Sequence, residues 1–138
     1  MRIMHGEDLQ PFNTLALTGR AKALARADSD TDLVEALGWA AEQGLPVVPL
    51  GEGSNVVIAG DLDALVLRVA MRGIEVLAQD SDSVIVRVAA GENWHRLVQW
   101  SLQQGYYGLE NLALTHRPRG GRELRARDRA QAGTPERV

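Results

Sequence analysis

The sequence predicts an α+β fold. Three observations carry that expectation: helical periodicity in two segments, near residues 31–43 and 94–104; four β-rich runs, near 47–50, 65–69, 74–78 and 84–89; and a turn signal at Asp80-Ser81-Asp82-Ser83 that joins the last two runs as a hairpin.

Taken in order, the apolar stretch Leu15–Leu17 is the candidate for a first strand. Ser29-Asp30-Thr31-Asp32 is rich in N-cap residues and opens the first helix. Leu33, Val34, Leu37, Ala40 and Ala41 recur on one helical face, Gly44 stands at the C′ position, and Pro46 blocks continuation. Val47-Val48-Pro49-Leu50 reads as a buried strand whose proline marks an end or an edge. Val56–Ile58 is a candidate short strand, followed by the turn signal Ala59-Gly60-Asp61. In Val84–Ala89 the residues Val84, Val86 and Val88 share one face. Asn93 is placed to cap the second helix, Leu97, Val98, Ser101 and Leu102 give its inner face, and Gly105 closes it. Trp39, Trp94 and Trp100 are expected as core or half-buried anchors.

The chain has 138 residues, 45 % of them hydrophobic and 24 % charged, which suits one soluble domain or a part of a larger one. With no cysteine, a disulfide framework, a cysteine-ligated metal and a thiol nucleophile are all excluded. No apolar run reaches the about 20 residues of a membrane span, and no signal-peptide pattern opens the chain, so a cytoplasmic location is expected. Residues 1–114 carry eight basic and fifteen acidic side chains, net −7, whereas residues 115–138 carry seven arginines and three acids, net +4. That last segment has only Leu124 and Val138 as large aliphatics. It is expected to be a disordered tail, with a short frayed helix over Arg122–Ala132 as the most it forms. It lacks aromatics for base stacking, and Glu123, Asp128 and Glu136 dilute its charge, so a solvated end is favoured over a nucleic-acid-binding arm.

Gly51-Glu52-Gly53-Ser54-Asn55 lies between two apolar runs. Two glycines one residue apart let a backbone approach a ligand and present N–H groups, and Ser54 and Asn55 add donors suited to phosphate oxygens. The spacing matches neither the dinucleotide fingerprint nor a P-loop, and a plain tight turn is the competing reading. Glu92 and His95 invite a general-base reading. Support of a helix start by Glu92 and a surface position for His95 are the favoured alternatives. No metal-ligand spacing is present.

Four segments occur in a characteristic order: Asn13-Thr14-Leu15, Gly51–Asn55, Ala90-Gly91-Glu92-Asn93-Trp94-His95 and Gly108-Leu109-Glu110-Asn111-Leu112-Ala113-Leu114. Together they resemble the bacterial UDP-N-acetylenolpyruvoylglucosamine reductases, over about residues 9–114. The resemblance implies a p-cresol-methylhydroxylase-type FAD-binding domain: its first subdomain and part of the second over residues 9–114, with residues 115–138 as an Arg-rich tail foreign to the family. It implies FAD as cofactor and NADPH as reductant. The implied reaction is reduction of an enolpyruvyl sugar nucleotide to UDP-N-acetylmuramate, in peptidoglycan precursor synthesis. The implied cofactor-binding residues are Gly51, Glu52, Gly53, Ser54 and Asn55 at the FAD pyrophosphate, and Gly108, Leu109, Glu110 and Asn111 in a second flavin-contacting segment.

Two departures accompany the match. Leu15 stands where the family has Phe, and Thr115-His116-Arg117-Pro118-Arg119 stands where it has Ile-Pro-Gly and a glycine-rich run. The serine, glutamate and arginine of the family's reaction have no counterpart in this chain, so no catalytic residue is assigned and an N-terminal fragment, inactive alone, is expected. A non-catalytic flavin-binding module and an Arg-tail nucleic-acid binder are the rival functions.

Overall fold

The computed structural model of the chain describes residues 1–110 and the backbone of strand Arg122–Asp128. It divides into two compact units, Met1–Arg72 and Gly73–Val138.

The first unit holds β1 (Ile3–Asp8), β2 (Arg20–Ala27), α1 (Asp30–Glu42), β3 (Val47–Leu50) and β4 (Leu62–Val69). The strands form one sheet in the order β1-β2-β4-β3, with β1 antiparallel to β2, and with β2 and β3 each parallel to β4. Among the described residues strand β3 is an edge, where Pro49 costs little because one side of the strand has no ladder partner there to lose. Alternation along β2 divides the sheet into two buried faces. Ala23, Ala25 and Ala27 pack with Leu65 and Leu67 against Ala36 and Ala40 of α1. Their small side chains let the helix lie close to the sheet. Leu24 and Val66 face the other way, into a second core with Leu9, Ala21 and Leu50. That second core is covered by Phe12, Val56, Ile58, Met4 and Leu62.

Helix α1 begins as the sequence requires. The Ser29 side chain accepts the Asp32 N–H at 3.2 Å and donates its hydroxyl to Asp32 Oδ2 at 2.9 Å, a reciprocal cap. Gly44 follows the helix at φ 64°, in the left-handed region that suits a C′ glycine.

The second unit holds β5 (Ile74–Gln79), β6 (Ser83–Val88), α2 (Trp94–Gln103), β7 (Tyr106–Tyr107) and β8 (Arg122–Asp128). Its sheet is antiparallel throughout, in the order β5-β6-β8-β7. The β5–β6 turn is built by Asp80, whose Oδ1 accepts the N–H groups of Asp82 at 2.8 Å and Ser83 at 2.7 Å. Val84, Val86 and Val88 of β6 pack against Leu97 and Val98 of α2 and against Leu109. Trp94, Trp100 and Tyr106 border this core, and Trp39 borders that of the first unit, so all three tryptophans are packed anchors.

The structure differs from the sequence-based expectation at several elements. Leu15–Leu17 forms no strand; the first strands are β1 and β2. Strand β1, ahead of residue 9, carries little sequence signal because His5-Gly6-Glu7-Asp8 is polar. Val56–Ile58 is irregular chain, and its apolar character comes from Val56 and Ile58 roofing the second core. Within the segment expected to be a disordered tail or a frayed helix, residues 122–128 form β8. The backbone is paired to β6 with Leu124 opposite Val86 and Ala126 opposite Val84. A ladder partner on each side supplies the backbone hydrogen bonds that composition alone does not suggest. The remainder of residues 115–138 lies outside the described residues.

Among the described residues no helix is long and apolar enough to cross a membrane, and no group of three or more His, Cys, Asp or Glu side chains could hold a metal.

Candidate functional site

The Gly51–Asn55 loop leaves the end of β3 in the first unit. Glu52 and Asn55 are exposed, Gly51 and Ser54 are partly so, and Gly53 is buried. Gly53 sits at φ 70°, and a Cβ built on it would collide with the Phe12 carbonyl oxygen and lie 2.8 Å from Asn13 Cα. Glycine is required here by the neighbouring main chain.

What the loop rests on is the segment Leu9–Leu17. The Gly53 carbonyl accepts the Thr14 N–H at 3.0 Å, with the Thr14 hydroxyl at 3.4 Å. Asn13 is buried and fully engaged: its Nδ2 donates to the Leu9 carbonyl at 2.8 Å and the Leu17 carbonyl at 2.9 Å, and its Oδ1 accepts the Leu17 N–H at 2.9 Å. Phe12 packs in the second core, and the Arg68 guanidinium lies 5.2 Å from its ring centroid, a cation–π contact. Arg68 is also in register with Leu50, the residue that precedes the loop. The Glu52 carboxylate has Arg72 as an ion-pair partner at 3.8 Å.

In the second unit, the Glu110 carboxylate accepts the Gly108 N–H at 2.5 Å. The Leu109 side chain is buried in the β6–α2 core, which leaves its main chain as what it can offer a ligand. Asn111 lies outside the described residues. Glu92 fastens the start of α2: its Oε2 accepts the Gly73 N–H at 3.0 Å and its Oε1 the Asn93 N–H at 3.2 Å. His95 is exposed on the first turn of α2. Phe12 and Arg72 adjoin the loop without any signal in the sequence. Only the Asn13-Thr14 pair carried a signal, as a motif without a role.

Residues 21–117 match the family described as FAD binding domain. The chain belongs to that FAD-binding domain family. FAD is the cofactor of such a domain. Over 106 residues this one is 46 % identical to the UDP-N-acetylenolpyruvoylglucosamine reductase of Pseudomonas putida, covering 77 % of the chain and 31 % of the relative. It is 48 % identical, with the same coverage, to the reductase of that name from Pseudomonas fluorescens. The domain thus spans about a third of the length of the curated relatives it matches. Among solved structures it is similar to UDP-N-acetylenolpyruvylglucosamine reductase from Thermus caldophilus, at TM-score 0.58 and 27 % identity, over 83 % of this chain and 38 % of that one. It shares its fold with 6-hydroxy-D-nicotine oxidase from Arthrobacter nicotinovorans, at TM-score 0.57 and 18 % identity, over 78 % and 25 % of the two chains. The architecture is α+β, of the p-cresol-methylhydroxylase type.

The loop fits the phosphate part of FAD. A carbonyl aimed at a phosphate would repel it, and the Gly53 carbonyl is instead turned inward onto Thr14. The one acidic side chain in the loop, Glu52, has its charge offset by Arg72.

Proposed function

We propose that this chain forms the flavin-holding part of a UDP-N-acetylenolpyruvoylglucosamine reductase, in which NADPH is the reductant and an enolpyruvyl sugar nucleotide the substrate of peptidoglycan precursor synthesis. The observation that carries the proposal is the 46 % identity to a reductase of that name over 106 residues. When bound, FAD supplies hydride transfer. The chain's own part is to hold and orient it. Gly51, Gly53, Ser54 and Asn55 meet the pyrophosphate through backbone N–H groups and short polar side chains. Glu52 contributes its main chain while its carboxylate pairs with Arg72. Gly108, Leu109, Glu110 and Asn111 form the second flavin-contacting segment. Residues 9–114 are then the family's flavin portion, and residues 115–138 are foreign to it.

The test is titration of the purified chain with FAD and with riboflavin, followed by flavin fluorescence. Because riboflavin has no phosphate, a phosphate-holding loop binds FAD the more tightly. Equal affinity for the two would remove the Gly51–Asn55 assignment.

A further inference from the structure

We propose that Asn13 and Thr14 are positioning residues that decide which way the Gly53–Ser54 peptide faces, and so whether the loop offers an anion a donor or an acceptor. The proposal rests on reading Gly51–Asn55 as the loop that meets the FAD pyrophosphate.

Asn13 uses its amide to close the Leu9–Leu17 segment on itself, with bonds of 2.8, 2.9 and 2.9 Å to Leu9 and Leu17. The Ala16 N–H returns to the Asn13 carbonyl at 3.1 Å, which makes residues 13–16 a β-turn with Thr14 at its second position. The Thr14 N–H is not consumed by that turn. It reaches across 39 residues of sequence to the Gly53 carbonyl at 3.0 Å. In a trans peptide the carbonyl and the following N–H point in opposite directions. Anchoring the Gly53 carbonyl on Thr14 therefore turns the Ser54 N–H toward the other side of the loop. Glycine tolerates either orientation of its flanking peptides, so residue 53 does not itself choose. Without the Thr14 donor, the peptide is free to rotate and set an oxygen where the N–H had been. An anion would then meet a repulsive partner in place of an attractive one.

Thr14→Pro tests the link directly. It removes the one N–H at issue and sets the ring Cδ where the hydrogen pointed, so the Gly53 carbonyl must turn from it, and proline is favoured at the second position of a β-turn. The preceding Asn13 is already extended, at φ −140° and ψ 144°, as a residue before proline must be. Thr14→Val is the companion variant, since it keeps the N–H and removes only the hydroxyl contact at 3.4 Å.

The purified full chain and both variants are titrated with FAD and with riboflavin, and their folding is followed by thermal melting. In Thr14→Pro, FAD affinity is expected to fall at least about tenfold while riboflavin affinity changes by less than about twofold. Thr14→Val retains the parent's preference for FAD. A Thr14→Pro chain that melts cooperatively and keeps the parent's FAD-to-riboflavin ratio overturns the proposal. So does loss of the preference in Thr14→Val, or loss of cooperative melting in Thr14→Pro, since the link would then be one of packing or folding. A parent chain without preference for FAD overturns the phosphate-loop reading itself, and does so before any variant is compared.

Discussion

Gly53 and Phe12 meet through main chain alone: the place where a Gly53 side chain would begin is occupied by the Phe12 carbonyl oxygen. The two loops they belong to are held together by this contact and by the adjacent hydrogen bond from Thr14 to Gly53.

A pair of glycines at nearly the same backbone angle separates space from conformation. Gly44 has φ 64° and nothing within 4 Å of a built Cβ, whereas Gly53 has φ 70° and no room at all. Gly44→Ala is expected to cost about 1 kcal/mol, the penalty of the left-handed region alone. Gly53→Ala should cost more than about 3 kcal/mol, since a main chain must also move. Urea unfolding of the two variants checks this, and equal midpoints would show that the Phe12 contact relaxes freely.

Asn13→Ala removes the partner of the part-buried Leu17 carbonyl and N–H, and leaves the Leu9 carbonyl with the Phe12 N–H alone. Each buried polar group left unmet costs about 1–3 kcal/mol. A loss of stability of about 2 kcal/mol or more is expected in the same urea assay, against about 0.5 kcal/mol for an ordinary surface substitution.

The cap on α1 predicts a pH dependence. The Ser29 hydroxyl above all, and next the Asp28 amide, hold the Asp32 carboxyl below the usual carboxylate range. A group whose pKa is lower folded than unfolded stabilises the fold above its unfolded value, near pH 4, and loses that contribution as pH falls through the folded value. The difference in melting temperature between the parent chain and Asp32→Ala should therefore be largest near neutrality and shrink below pH 4. Ser29→Ala, which removes the hydroxyl, should cost about 1 kcal/mol at pH 7.

A steady-state assay with NADPH and the enolpyruvyl sugar nucleotide is expected to show no turnover by the 138-residue chain above that of free FAD. The proposed role of these 138 residues is to hold the flavin, with no proton donor or enolate-stabilising group assigned among them, and each such group is commonly worth about 10²–10⁴ in rate. Turnover by the pure chain would show that residues within 1–138 perform that role.

Elements whose ends are marked by side-chain chemistry were legible in the sequence. Helix α2 is an instance: Asn93 accepts the Arg96 N–H at 2.9 Å and Gly105 follows at φ 78°. The β5–β6 hairpin is another, because Asp80 builds its turn within four residues. Strand β2 was not legible. Its alternation of Arg, Lys and Ala is that of a strand, yet alanine is weakly β-forming, and only the pairing with β1 and β4 overrides that preference. Strand β8 shows the same limit, since its ladder partner β6 lies more than thirty residues earlier. For the loop, Gly51–Asn55 stands out in the sequence, but the Phe12 carbonyl that excludes a side chain at Gly53 does not, because it comes from a distant segment.

The strand order of the first unit sets a threshold during synthesis. Strand β4 stands between β2 and β3, and β2 has only β1 as its other neighbour. A nascent chain that has emerged only to residue 61 can pair β1 with β2 and form α1, but β3 has no ladder to join. A lone two-stranded pairing is marginal in water. Leu62–Val69 is therefore the last piece needed before the alanine face of β2 and its opposite face can both be sealed. Protease resistance of ribosome-bound chains should rise abruptly once Val69 clears the exit tunnel, and only slightly on release of Leu50.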